Sequence, residues 1–173
     1  MAVTGLGHVG LHVNDLDAQA AFYEQMIGLT ITDRDPDVGM VFLSARPNEE
    51  HHELLLCRGR TAPAGTLMLQ QVSFHCDALA DMIEYDRRFR RHGVEIDMVV
   101  THGNAIGIYF YDPEGNRCEV YWKTGLEARQ PFLMDIDLSQ SEEAIMRRVR
   151  EVVEMYGATG IIEHAEALTA QNI

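Results

Sequence analysis

Residues 6–16 read LGHVGLHVNDL, and residues 69–79 read LQQVSFHCDAL. At an offset of 63, Leu6 meets Leu69, His8 meets Gln71, Val9 meets Val72, Leu11 meets Phe74, His12 meets His75 and Leu16 meets Leu79. Both stretches alternate. His8, Gly10 and His12 share one face, and Val9, Leu11 and Val13 the other. In the second copy Gln71, Ser73 and His75 oppose Val72, Phe74 and Cys76. A period of two is the pattern of a half-buried strand.

Working outward, a helical stretch follows each strand. Leu16, Ala20, Tyr23 and Ile27 recur at helical spacing in the first copy, and Leu79, Met82, Ile83 and Phe89 in the second. Asp15 and Asp77 are the expected N-caps, and Gly28 and Gly93 the expected left-handed ends. Short apolar strands follow at 29–32 and 94–96. Two more are expected in each half, near 40–45 and 51–57, and near 105–111 and 117–123. The turn DPEG at 112–115 joins the last two, as PNEE at 47–50 does in the first half. The order is β-α-β-β-β, twice, an α+β class. Two such modules, about 4–60 and 66–125, are expected to pair into a half-open barrel within one domain, 1–125. Beyond it, residues 126–173 are read as an extended arm, GLEARQPFLMDID, and a C-terminal helix over about 141–156. Ser139 and Glu142 have capping-box spacing there. Ile145, Val149, Val152 and Tyr156 form its apolar stripe, Gly157 and Gly160 end it, and AEALTA suggests a short final helix.

Composition narrows the function classes. The 173 residues carry 14 Lys+Arg against 27 Asp+Glu, a net charge of −13, which disfavours a general nucleic-acid surface. No apolar run approaches the roughly 18 residues of a membrane span. No basic-then-apolar leader is visible at the start. Cys57, Cys76 and Cys118 are three and widely spaced, so reduced thiols and a cytoplasmic location are expected.

Alternation aims the polar side chains. In AIGIYFY (105–111), Ala105, Gly107, Tyr109 and Tyr111 share a face. In RCEVYWK (117–123), Glu119, Tyr121 and Lys123 do. A mid-strand glutamate among apolar neighbours is costly to bury unless paired or bound to a cation. The repeat makes Glu53 of HHELLL its counterpart. The four symmetric positions are then His8, Glu53, Gln71 and Glu119, whose imidazole, amide and carboxylate groups suit a divalent metal.

The segments GHVGLHVNDLDAQAAFYEQMIGL, HHELLL, LQQVSFHC and YFYDPEGNRCEVYW resemble the vicinal oxygen chelate superfamily, which holds glyoxalases, type I extradiol dioxygenases and bleomycin- or fosfomycin-resistance proteins. The resemblance covers about residues 4–125 and is nearest to single-domain extradiol dioxygenases. It implies a metal-dependent ring-cleaving dioxygenase acting on a catechol-like aromatic diol with dioxygen, and a homodimer or higher homo-oligomer. By motif, the metal ligands fall on His8, Gln71 and Glu119. The resemblance implies iron(II) first; the family's second histidine is here Gln71, a weaker and harder ligand, which brings in manganese, nickel or zinc as other candidates. The resemblance gives His52 a proton-handling role and has His102 and Tyr109 orient and deprotonate the diol. Simple alternation puts His52 and Glu53 on opposite faces. With Glu53 inward, the pattern is that of a glyoxalase-like isomerase or lyase with four ligands. A metal-free binding protein of the resistance type is the third class.

Overall fold

The computed structural model describes residues 5–63, 66–67 and 69–163. They form two compact units, each a mixed sheet with a helix on one face. The first holds β1 (Val9–Val13), α1 (Leu16–Phe22), β2 (Thr30–Asp35), β3 (Met40–Ser44) and β4 (Leu54–Arg58), together with the turn Asp112–Asn116. The second holds β5 (Val72–His75), α2 (Leu79–His92), β6 (Ile96–Thr101), β7 (Ala105–Tyr111), β8 (Arg117–Lys123), β9 (Phe132–Asp135), α3 (Glu142–Tyr156) and β10 (Ile161–Ile162). The β-α-β-β-β order therefore occurs twice, as the repeat requires. No described helix is long and apolar enough to cross a membrane.

The first sheet runs β1-β4-β3-β2, with β1 parallel to β4 and the other pairs antiparallel. Leu11, Val13, Val41, Leu43, Leu54 and Leu56 are buried with Leu16, Ala20, Tyr23 and Ile27 of the helical segment. Asp15 caps α1 by accepting from the Ala18 N–H at 3.0 Å. The helix widens into a π turn over Tyr23–Ile27 and ends at Gly28, whose φ of +86° a side chain would resist.

The DPEGN turn does more than reverse the chain. Glu114 accepts from the backbone N–H groups of Asn14 (2.6 Å) and Asp15 (2.8 Å), at the positive end of α1. Its other oxygen lies 3.5 Å from the buried Arg60 guanidinium. Asp112 accepts from the hydroxyl of the fully buried Tyr23 at 3.0 Å and from the Asn116 backbone at 2.8 Å.

The second sheet runs β10-β9-β6-β7-β8-β5, with β5 parallel to β8 and β10 parallel to β9. Leu79, Met82 and Phe89 of α2 are buried along with Ile106, Ile108, Phe110, Cys118 and Val120, and the Phe89 and Phe110 rings lie 4.6 Å apart. Phe132, Met134 and Val152 form a further cluster with Val153 and Tyr156.

Several boundaries differ from the sequence expectation, each for a local reason. The Val94 N–H closes α2 on the Phe89 carbonyl (3.0 Å), so the next strand begins at Ile96 rather than at 94. Helix α2 is capped at Ala78, not Asp77, with Asp81 accepting from the Ala78 N–H at 3.0 Å. Helix α3 is capped by Ser141; Ser139 instead turns back onto Asp137. β4 starts at Leu54, leaving His51, His52 and Glu53 ahead of the regular strand. The arm contains a strand, β9, paired with β6. The helix expected at AEALTA lies outside the described residues.

Replacing Glu114 by Ala removes three charge-assisted bonds, from the Asn14 N–H, the Asn14 amide and the Asp15 N–H, and leaves Arg60 buried without its carboxylate. It is expected to lower stability by about 2–4 kcal/mol in urea unfolding. A loss below about 0.5 kcal/mol would show that the turn is an ordinary surface reversal.

Candidate functional site

The polar centre of the second unit is Glu119, only 5% exposed. Strand register places it opposite Ser73 on β5 and Tyr109 on β7, all on the face away from α2. Its Oε2 accepts from the Ser73 hydroxyl at 2.6 Å and from the Gln71 amide nitrogen at 2.9 Å. Gly107 makes room for the other oxygen: a Cβ there would stand 2.6 Å from Oε1.

Tyr109 and His102 sit beside it. The Tyr109 hydroxyl lies 2.9 Å from His102 Nε2, and that nitrogen is 4.0 Å from Glu119 Oε1. His102 Nδ1 lies 2.8 Å from the Phe132 carbonyl. A carbonyl only accepts, so Nδ1 carries a proton. In the neutral ring Nε2 then accepts from Tyr109. Burial first, and the charge of Glu119 next, push the Tyr109 phenol well above its ordinary value, so it stays protonated at neutral pH.

Arg117 completes the cluster and was not expected from the sequence. Its guanidinium stacks 4.1 Å from the Tyr109 ring centre, pairs with Asp97 at 2.8 Å and donates to the Gln71 amide oxygen at 3.4 Å. Alternation could have found it, because Arg117 lies two residues before Glu119 on one strand. Ser73 was visible in the same way, two residues after Gln71.

In the first unit His8 and His52 stand side by side, ring centres 4.3 Å apart, with Phe42 5.1 Å from His52. His51 Nδ1 is 3.0 Å from His52 Nδ1. Burial, then the His8 and His51 rings, hold His52 below the ordinary histidine value. Glu53 is engaged elsewhere: Arg46 pairs with it at 2.8 Å and the Ala45 N–H donates at 2.8 Å. Burial pushes the Glu53 carboxyl up, but Arg46, Ala45 and Ser44 together outweigh it and hold it below its usual value. The conflict between His52 and Glu53 arises only for a regular strand, and both residues precede β4.

Among the described residues no three His, Cys, Asp or Glu side chains form a metal-ligating group. Donor chemistry tests the fit. Glu119 is a buried carboxylate whose hydrogen-bond donors are neutral, with no Lys or Arg ion pair among the described residues. That is an arrangement a cation satisfies. Gln71 turns its amide nitrogen to the carboxylate, and its oxygen, among the described residues, has the long contact to Arg117 at 3.4 Å. Turning the amide over frees that oxygen at the loss of the bond to Glu119. Carboxylate and amide oxygens fit a hard divalent ion better than one that favours imidazole.

Comparison with known proteins bears on this geometry. Residues 5–120 match the family model described as Glyoxalase/Bleomycin resistance protein/Dioxygenase superfamily. Biphenyl-2,3-diol 1,2-dioxygenase 3 of Rhodococcus globerulus is 31% identical over 120 residues, 66% of this chain and 61% of that protein. Manganese-dependent 2,3-dihydroxybiphenyl 1,2-dioxygenase of Geobacillus genomosp. 3 is 24% identical over 123 residues, 69% of this chain and 37% of that protein. This chain thus spans under two thirds of these relatives. Lactoylglutathione lyase from Agrobacterium tumefaciens shares the fold, with a TM-score of 0.55 and 23% identity over 70% of this chain and 96% of that one.

Gly107→Ala is expected to drive the Glu119 carboxylate from its donors and lower stability by about 1–3 kcal/mol in urea unfolding. Wild-type stability would mean the carboxylate does not occupy that space. Arg46→Met is expected to return the Glu53 carboxyl toward its ordinary value, read by NMR titration; an unmoved titration would remove Arg46 as the cause.

Proposed function

The chain belongs to the glyoxalase/bleomycin resistance protein/dioxygenase superfamily, and on that footing we propose that it opens the ring of a catechol-like aromatic diol with dioxygen, in a metal-dependent reaction of the extradiol type. The observation that carries this reading is the Tyr109–His102 hydrogen bond beside buried Glu119. A protonated phenol next to an imidazole lone pair suits the hydroxyl of a second phenol. The names of the Rhodococcus and Geobacillus relatives support the substrate class.

The proposed ligands, taken from the resemblance, are His8, Gln71 and Glu119. The chemistry that iron(II) or manganese(II) supplies when bound is chelation of the two diol oxygens and activation of dioxygen. The chain's own residues handle protons. A diol hydroxyl donates to the Tyr109 oxygen while Tyr109 passes its own proton to His102 Nε2. The resulting imidazolium keeps the Phe132 carbonyl on Nδ1 and faces the Glu119 charge. His52, whose lowered pKa keeps its ring neutral at neutral pH, is proposed to exchange a proton at a substrate oxygen. The glyoxalase-like alternative needs Glu53 as a ligand and base, and Glu53 is held by Arg46.

The test is metal analysis of protein purified without oxygen, then oxygen uptake with a panel of catechols after reconstitution with iron(II) or manganese(II). Bound metal with uptake is expected. No uptake with either metal would overturn the dioxygenase reading, and catechol binding alone would then mark a binding protein. Tyr109→Phe is expected to lower kcat by about a hundredfold with metal content kept; full activity would remove Tyr109 from the reaction. The acid limb of the activity is expected below the ordinary histidine value of about 6.5, because the folded His52 pKa is lowered. A limb above that value would exclude His52 as its source.

A further inference from the structure

We infer that the segment after the family-matched region is a working part of the site: β9 sets the tautomer of His102, and Gln130 is the positioning residue that holds the two together. The inference rests on the acid–base reading of His102 given above.

The family match ends at residue 120. Residues 126–135 lie beyond it and run alongside the loop that carries His102. β9 pairs with the end of β6, Thr101 opposite Met134. The Phe132 carbonyl of β9 then receives the His102 Nδ1–H at 2.8 Å. This bond has a chemical consequence. In free histidine in water the neutral ring carries its proton mostly on Nε2. Here an acceptor that cannot donate holds the proton on Nδ1, so Nε2 presents a lone pair to Tyr109 at 2.9 Å. With the other tautomer, Nε2–H would donate to the Tyr109 oxygen, Nδ1 would face the Phe132 carbonyl lone pair to lone pair, and the relay toward Nε2 would have no vacant site.

Gln130 clamps this arrangement from both sides. Its amide nitrogen donates to the His102 carbonyl at 2.9 Å, and its amide oxygen accepts from the Phe132 N–H at 3.1 Å. One side chain thus ties the backbone of the histidine to the backbone of the residue that fixes its ring. The close approach is built in at Gly103. Its φ is +73°, and a Cβ there would stand 2.5 Å from the Ala128 Cβ. Thr124 adds a bond from its hydroxyl to the Gly103 carbonyl at 2.6 Å. Behind β9, Phe132 and Met134 pack with Val152 of α3, so the helix backs the strand that aims the carbonyl.

The test uses the full chain labelled with 15N at histidine. Long-range proton–nitrogen NMR distinguishes Nδ1–H from Nε2–H rings, and His102→Gln assigns the signals. Wild type is expected to show His102 in the Nδ1–H form. A wild-type Nε2–H ring overturns the inference. In Gln130→Ala the ring is expected to shift toward a tautomer mixture. The kcat of ring cleavage is expected to fall about ten- to a hundredfold, with KM changed little. Gly103→Ala, which wedges the arm from the loop, is expected to act in the same direction and serves if Gln130→Ala does not fold. An unchanged His102 spectrum and unchanged kcat in the folded variant overturn the positioning role. The tautomer is read without substrate or metal. A wild type that shows Nδ1–H but takes up no oxygen would therefore refute the proposed reaction and leave this inference standing.

Discussion

A carboxylate buried in a sheet must find its donors within that sheet, and Glu119 imposes this on the second unit. Strand register supplies Ser73 from β5 and the Tyr109 neighbour from β7. The period of two brings Gln71 and Arg117 onto the same face. Gly107 is required because any larger residue would occupy the space of Oε1. One buried charge thus dictates the residue type at a neighbouring strand position and the order of the hydrogen bonds, and it adds to burial in keeping the proton on Tyr109.

The same logic divides what the sequence reveals from what it hides. The repeated strand-helix pattern was legible because each half alternates with a period of two and then switches to helical spacing, and β7 and β8 fall where alternation placed them. Segments with competing local bonds were not. Val94 looks like strand by composition, but its N–H is taken by the end of α2. His51 to Glu53 look like a strand start, but Arg46 draws Glu53 to the loop while His52 stacks on His8. Periodicity carries no information about either event, since both depend on partners distant from the period. β9 was hidden for another reason. Its residues lack alternation strong enough to stand alone, and pairing with β6 decides their conformation.

Within the first unit, the DPEGN turn shows how a motif can carry two loads. Its Pro and Gly suit a reversal, and from sequence that is all they predict. The acidic residues between and beside them meet separate needs: Asp112 satisfies the buried Tyr23 hydroxyl, and Glu114 neutralises the positive end of α1 and Arg60. A lysine or alanine in either place would still make a turn. It would take the carboxylate acceptor from the Tyr23 hydroxyl, or from two backbone N–H groups and the Arg60 guanidinium.

By the resemblance, Gln71 stands where the family has its second histidine, and an amide, unlike an imidazole, cannot bring a positive charge to the site by taking up a proton. An amide cannot be protonated at neutral pH, so it donates to Glu119 and accepts from Arg117 at once, which a single neutral imidazole could also do but an imidazolium could not. Arg117 is neutralised by Asp97 at 2.8 Å. What is left over in the cluster is the negative charge of Glu119, in a chain whose net charge is −13. Such a field repels carboxylates and phosphates and favours cations and neutral phenols. In the proposed reaction, a neutral diol that loses a proton through Tyr109 to His102 would generate an anion where that field resists one. Such a reaction needs a positive charge to arrive with or before the substrate, and the carboxylate that disfavours the anion is the group best suited to hold that charge.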